Sequence, residues 1–246
     1  MQAKSAAACF AAGIAVAVLC ALAGAAAIAA PLSGNARSGA ASYARMAPVD
    51  QYLIPDPRAE IALARSAAPQ AISARATVLV LKPHGYEMAA QGSNGFTCLV
   101  ERGWDSPFDS PEFWNPKMRA PICYNPAASR SILLYRLART KLALAGHSRE
   151  EMLAETRVAL ARQELPAAPE PGAMSFMMSK QGYLGDAQGH WHSHLMFHVP
   201  KAAAATWGAN LPGSPVLLDV REVPEPESIF LVPVDHWSDG TAAPVS

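Results

Sequence analysis

The 246-residue sequence has few cysteines and no short motif that by itself identifies a chemistry. It contains no Cys-x-x-Cys pair, which excludes thioredoxin-type redox sites and the zinc sites that use such pairs. The Gly-x-Ser-x-Gly elbow, the His-Glu-x-x-His helix, the phosphate-binding P-loop and the dinucleotide-binding glycine fingerprint are missing as well. The common signatures of serine hydrolases, metalloproteases and nucleotide-binding proteins are therefore absent.

The sequence also lacks a surplus of charge of either sign. Its 20 Lys and Arg residues balance its 20 Asp and Glu residues. Without a basic surplus, the chain cannot collect the phosphates of a nucleic acid, and it offers no polybasic patch to an anionic membrane surface. We therefore predict no nucleic-acid partner.

Charge is scarcest at the N-terminus, where Lys4 is the only charged residue before Arg37. An alanine-rich apolar run extends from Ala6 to Ala30, and Ala27-Ile28-Ala29 closes it with a small-x-small pattern. A positive residue, an apolar run and such a site are the three parts of a signal peptide. We predict that residues 1–30 direct export to the periplasm or the cell exterior and are removed, leaving no transmembrane segment. An uncleaved anchor is the alternative, because the run is long enough to span a bilayer.

The remaining chain predicts one domain between two short flexible ends. Residues 31–48 are small and polar with few large apolar side chains, which is typical of a flexible leader. Residues 49–240 are enough for a single domain with its own core, and residues 241–246 form a small polar tail.

Two cysteines, Cys98 and Cys123, remain once the predicted signal peptide is removed. An even pair in an oxidising compartment favours a disulfide. Such a bond contributes about 3 kcal/mol, mainly by restricting the unfolded chain. A redox or metal-binding pair is the alternative.

The order of strand and helix patterns predicts an α+β domain with a mainly antiparallel sheet and a helical hairpin packed on it. Asn94-Gly95 predicts a first β-hairpin that joins a strand at Gly85–Ala90 to one at Phe96–Glu101. The other predicted elements are helices over 57–68, 126–144 and 148–164, a strand over 76–81, and strand pairs over 174–180 with 190–199 and 216–220 with 229–234.

The most unusual stretch is a run of histidines late in the sequence. On a strand, His190, His192, His194 and His198 share one face, because side chains alternate. Imidazoles two residues apart can reach one metal ion, and neutral imidazole suits a divalent metal such as zinc. Asp186, His84 or His236 could complete the set. The alternatives are packed or solvated histidines with no ligand and a histidine that acts as a general acid or base.

Aromatic side chains are concentrated in a proline-rich segment between the two cysteines. They are Trp104, Phe108, Phe113 and Trp114. Such a group could contact a ligand or a partner protein. The alternative is a satellite core beneath an ordered loop.

Four strings together resemble uncharacterised exported proteins of bacteria. They are Asn94-Gly95-Phe96-Thr97-Cys98, Phe113-Trp114-Asn115-Pro116, Pro121-Ile122-Cys123 and His192-Ser193-His194-Leu195-Met196-Phe197. The resemblance covers most of residues 50–240. It implies a location in the cell envelope and transfers no catalytic residue.

These patterns favour an exported binding or accessory protein without turnover. One version of this hypothesis is that the histidine strand holds a metal ion. A metal-dependent hydrolase that uses the same histidines is the alternative. A partner-binding envelope protein is a third hypothesis, and the sequence identifies no substrate and no catalytic residue.

Overall fold

The computed structural model describes residues 43–186, 192–209, 211–214, 216–218 and 225–244. All of them belong to the unit that spans Arg37–Ser246. The predicted signal peptide, most of the predicted leader, and His190 lie outside the described residues. Within the described ranges, no helix is long and apolar enough to cross a membrane.

Capping side chains mark the N-terminal ends of three of the α-helices. The α-helices are α1 (Pro57–Arg65), α2 (Gln70–Ser73), α3 (Pro126–Arg130), α4 (Ile132–Leu144) and α5 (Arg149–Ala161). Asp56 accepts a hydrogen bond from the Arg58 backbone and precedes a proline at the first helical position. Ser148 forms a capping box with Glu151, as the Ser-x-x-Glu spacing predicts.

The predicted long helix over 126–144 is interrupted at Ser131. The backbone of this residue leaves the helical region, at φ −120° and ψ −69°. Its hydroxyl donates to the Ala127 carbonyl oxygen and accepts a hydrogen bond from the Glu170 backbone. This local bonding competes with the helix and separates α3 from α4.

Eight strands form one sheet in the described part of the chain. They are β1 (Thr77–Lys82), β2 (Gly85–Ala90), β3 (Thr97–Glu101), β4 (Ala120–Tyr124), β5 (Met174–Met177), β6 (His194–Pro200), β7 (Leu217–Leu218) and β8 (Glu227–Pro233). Their order is β2-β1-β3-β4-β5-β6-β8-β7, and every pair is antiparallel except β1 with β3. The predicted α+β class with a mainly antiparallel sheet is confirmed, whereas the helical hairpin packed on it stays a prediction.

The first predicted hairpin is wrong. β2 pairs with β1, and β3 lies parallel to β1 on its other side. Burial explains the outcome: β3 is apolar and almost wholly buried, so it takes a central position, whereas the partly exposed β2 stays at the edge. Asn94 still lies in a turn, and its side-chain amide donates to the Ile72 carbonyl oxygen. After this turn the chain enters β3 on the other side of β1.

One face of the central strands packs against the small side chains at and after the end of α1. Cys98, Val100 and Cys123 share an apolar cluster with Ala64 and Ala67. Cys98 and Cys123 are register partners on β3 and β4, with Cα atoms 4.0 Å apart, and they form the predicted disulfide.

The opposite face packs against α4. Leu99 and Ile122 belong to the same cluster as Ile132 and Leu133. Because side chains alternate along a strand, Glu101 on β3 falls on this face too. The α4 side of the sheet therefore carries both the apolar core and a buried carboxylate.

Candidate functional site

The structure places only part of the predicted histidine face on one strand. His194 and His198 lie on β6 four residues apart and share a face. His192 precedes the strand, and His190 lies outside the described residues. Nowhere in the described ranges do three or more His, Cys, Asp or Glu residues form a group that could hold a metal ion.

Both ring nitrogens of His198 have protein partners. Nε2 lies 3.0 Å from the Ser175 Oγ atom on β5, and Nδ1 lies 2.6 Å from an oxygen of Glu227 on β8. A metal ion could reach this ring only by displacing one of these partners. His198 is therefore the centre of a serine–histidine–glutamate relay across three strands, rather than a ready ligand.

The other proposed metal ligands have separate surroundings. His194 Nδ1 lies 2.6 Å from the His192 carbonyl oxygen, and burial lowers the pKa of His194, which favours its neutral ring. His236 Nδ1 lies 2.7 Å from its neighbour Asp235, and His84 is exposed. Asp186 accepts hydrogen bonds from the hydroxyls of two tyrosines.

The relay joins a buried ionic network beneath α4. The Arg136 guanidinium lies between three carboxylates, with nitrogen–oxygen distances of 3.4 Å to Glu101, 3.5 Å to Glu225 and 3.3 Å to Glu227. Glu227 thus contacts both Arg136 and His198. In this way Arg136 on α4 is linked to Glu101 on β3, to Glu227 on β8, and to Glu225, which lies two residues before β8.

One helical turn further along α4, Arg139 extends the network. Its Nη2 atom lies 2.5 Å from a carboxylate oxygen of Glu225. Its Nη1 atom donates to the Ser106 carbonyl oxygen at 2.9 Å, and its guanidinium carbon lies 4.2 Å from the centre of the Phe108 ring. On the sheet side, the Tyr124 hydroxyl donates to Glu101. Tyr124 is the register partner of Ser175, so the Tyr124–Glu101 contact and the Ser175–His198–Glu227 relay lie on the same face of the sheet.

The network contains more carboxylates than arginines. Asp105 lies within it, and burial, with the nearby Glu101 charge, raises the pKa of Asp105 to about 7. Burial also raises the pKa of Glu101. For Glu227, burial acts in the same upward direction, but His198 and the arginines outweigh it and hold its pKa below the ordinary value. The excess negative charge of the network is therefore reduced at Asp105, which keeps a proton up to a pKa of about 7.

Chemically, the relay has the connections of a nucleophile, a base and an orienting acid. Yet Ser175 is 0% exposed, and His198 and Glu227 are 3% and 2% exposed. Ser175 also lies inside the sheet, with β4 on one side and β6 on the other. In this arrangement the serine meets no solvent.

The four aromatic residues of the proline-rich segment are buried. Trp104 and Phe113 are 0% exposed, and Phe108 and Trp114 are at most 6% exposed. The Trp104 ring nitrogen donates to Thr140 on α4 at 3.0 Å. Their burial corresponds to the satellite-core alternative and not to an aromatic contact surface.

Sequence motifs missed the relay and the network because their members are far apart along the chain. One signal was available: Arg136 and Arg139 lie among the positions that α4 buries, together with Ile132, Leu133 and Ala143. Charged residues inside an apolar helix stripe indicate buried partners. The sequence did not indicate which carboxylates those partners are.

Comparison with protein-family models, curated proteins and solved structures found no match to this chain. The site must therefore be interpreted from its own geometry.

We expect Arg136→Met to destabilise the fold by about 3–5 kcal/mol, because it leaves buried carboxylates without their cation. Urea unfolding of the oxidised protein at neutral pH measures this. Lys141→Met, at an exposed position of the same helix, is the matched control and should change stability by less than about 0.5 kcal/mol. A loss below about 1 kcal/mol for Arg136→Met would show that the network does not hold α4.

We expect Asp105→Asn to become more stable relative to the native protein as the pH rises from 5 to 8. The folded chain keeps the Asp105 proton up to a pKa of about 7, whereas the unfolded chain loses it near 3.8, so native stability falls across this window. The amide carries no such proton and avoids that loss, by about 1–4 kcal/mol at pH 8. Urea midpoints at the two pH values test this, and a stability difference that does not change with pH would contradict it.

Proposed function

We propose that this chain is an exported binding or accessory protein without turnover. The N-terminal pattern of Lys4 followed by an alanine-rich apolar run favours export. The Cys98–Cys123 disulfide supports an oxidising compartment, since such bonds persist outside the cytosol. A periplasmic or extracellular location fits both features.

The single observation that supports a role without turnover is the burial of the serine–histidine–glutamate relay. A nucleophile must reach a substrate atom, and Ser175 is fully buried within the sheet. Arg136 pairs with Glu227, the acid that would orient the histidine. The relay is better explained as part of the polar network that joins α4 to the sheet than as a reacting centre.

Labelling with a fluorophosphonate, which reacts with activated serines, tests this proposal. We expect no adduct on Ser175 in the folded, oxidised protein, and equal rates of p-nitrophenyl acetate hydrolysis for the native chain and Ser175→Ala. Ser193→Ala is the matched control, because Ser193 is equally buried but donates to the His236 carbonyl oxygen. An adduct on Ser175, with activity lost only in Ser175→Ala, would replace the proposal with a serine hydrolase.

Metal binding through the histidine strand is a second candidate function. The favouring observation is the 2.6 Å contact between His194 Nδ1 and the His192 carbonyl oxygen. Metal-ligating histidines commonly donate one ring N–H to a carbonyl in this way. The lowered pKa of His194 keeps the ring in the neutral form that a zinc ion requires.

Elemental mass spectrometry of the periplasmic protein, purified without a histidine tag, tests this candidate. We expect near-stoichiometric metal in the native chain and loss of it in His192→Ala/His194→Ala, with His84→Ala as an exposed control. Hydrolytic activity that disappears with the metal would indicate the metal-dependent hydrolase instead. Absence of metal from every form, even after incubation with zinc, would exclude the site.

A further inference from the structure

A cleft of about 610 Å³ lies at the end of α1. Its walls come from the end of α1, from α2, from the segment that follows β5 and from the segment around Ser238 and Asp239. This volume is within the range of pockets that hold small molecules.

Hydrogen bonds between three of the four wall segments fix the shape of the cleft. The Met178 backbone donates to the Ala67 carbonyl oxygen and accepts from the Ser238 backbone, each at 2.9 Å. The Ser238 hydroxyl donates to the Ser66 carbonyl oxygen at 2.6 Å. The cleft is therefore preformed, which lowers the entropy cost of binding.

The hydroxyls of Ser66, Ser179 and Ser238 in the cleft already bond to the protein. Ser66 donates to the Leu63 carbonyl oxygen at 2.6 Å, and its Oγ atom lies 2.6 Å from the Ser179 Oγ atom. Ser179 also accepts a hydrogen bond from the Gln181 backbone. Each hydroxyl hydrogen thus has an acceptor within the wall, so these serines shape the cleft and leave the recognition of a ligand to other groups.

One cation of the cleft is neutralised and the other is not. Lys180 forms an ion pair with Asp239, whose carboxylate also accepts from Thr241. Arg65 makes no ion pair or side-chain hydrogen bond within the part of the chain that the structure describes. Its Nε atom is buried without a hydrogen-bond partner. Because no described residue neutralises the guanidinium, its charge is left for an anion that enters the cleft.

Arg65 is also not needed to complete the end of α1. The carbonyl oxygens of Leu63, Ala64 and Ser66 accept hydrogen bonds from other groups of the protein. The guanidinium therefore has no capping role that would account for its position in the cleft wall.

We propose that this cleft binds a small organic anion through its carboxylate or phosphate group, with Arg65 as the anchoring residue. A guanidinium presents paired N–H donors that match the two oxygens of either group. The inference rests on the proposed function, because it names the ligand class of the binding protein.

Isothermal titration calorimetry on the oxidised chain tests the inference with succinate and inorganic phosphate as probes and xylitol as a neutral solute. We expect saturable binding of at least one anion, weakened at least about tenfold by Arg65→Gln. Arg58→Gln, on the exposed face of the same helix, should bind like the native chain. Arg65→Lys should retain part of the affinity, because it keeps the charge and loses the paired donors.

Preference for succinate assigns a carboxylate ligand, and preference for phosphate assigns a phosphate monoester. Equal affinity in Arg65→Gln, or no saturable binding of either anion at about 1 mM, overturns the inference. Thermal unfolding shows whether each variant is folded. If Arg65→Gln does not fold, the affinity of Arg65→Lys is compared with that of the native chain instead. Labelling of Ser175 would refute the proposed function separately, since that serine is not part of the cleft.

Discussion

The contact between Arg136 and its three carboxylates is the interaction on which the rest of the structure depends. Removing charges from water is costly, and the cost is offset only when each charge finds partners inside. Arg136 meets that requirement with Glu101, Glu225 and Glu227. These partners lie on opposite sides of the sheet centre. One position of α4 relative to the strands therefore satisfies them together.

The two faces of the sheet differ in how much buried charge they carry. On the α1 side, small alanines pack with Cys98 and Cys123 in an apolar cluster, and Glu60 of α1 forms one buried ion pair with Arg102. On the α4 side, the apolar cluster around Leu99 and Ile132 borders the ionic network. Apolar packing tolerates small shifts, whereas buried charges require particular distances. The α4 face, which carries more buried ion pairs among the described residues, is accordingly the more specific one.

The same distinction separates the two polar regions considered for function. The relay of Ser175, His198 and Glu227 has internal partners throughout, and its groups balance one another in a closed environment. Arg65 lies in an open cleft and lacks a partner among the described residues. Groups that satisfy one another maintain a fold, whereas a fixed and unsatisfied donor is a feature of recognition. This contrast is the basis of the proposed binding role.

Local sequence determined the helix starts at Asp56 and Ser148, most strand positions and the cysteine pair, because caps, alternation and turn residues act within a few positions. Tertiary structure decided the rest. The pairing of β3 with β1 depended on which strand had to be buried on both faces, and Asn94-Gly95 alone could not specify it. The sequence could not indicate the partners of Arg136 and Arg139 either, because they are distant along the chain. Glu227, for example, lies 91 residues from Arg136. A charge in an apolar stripe shows that a partner must exist, but only the folded chain selects it.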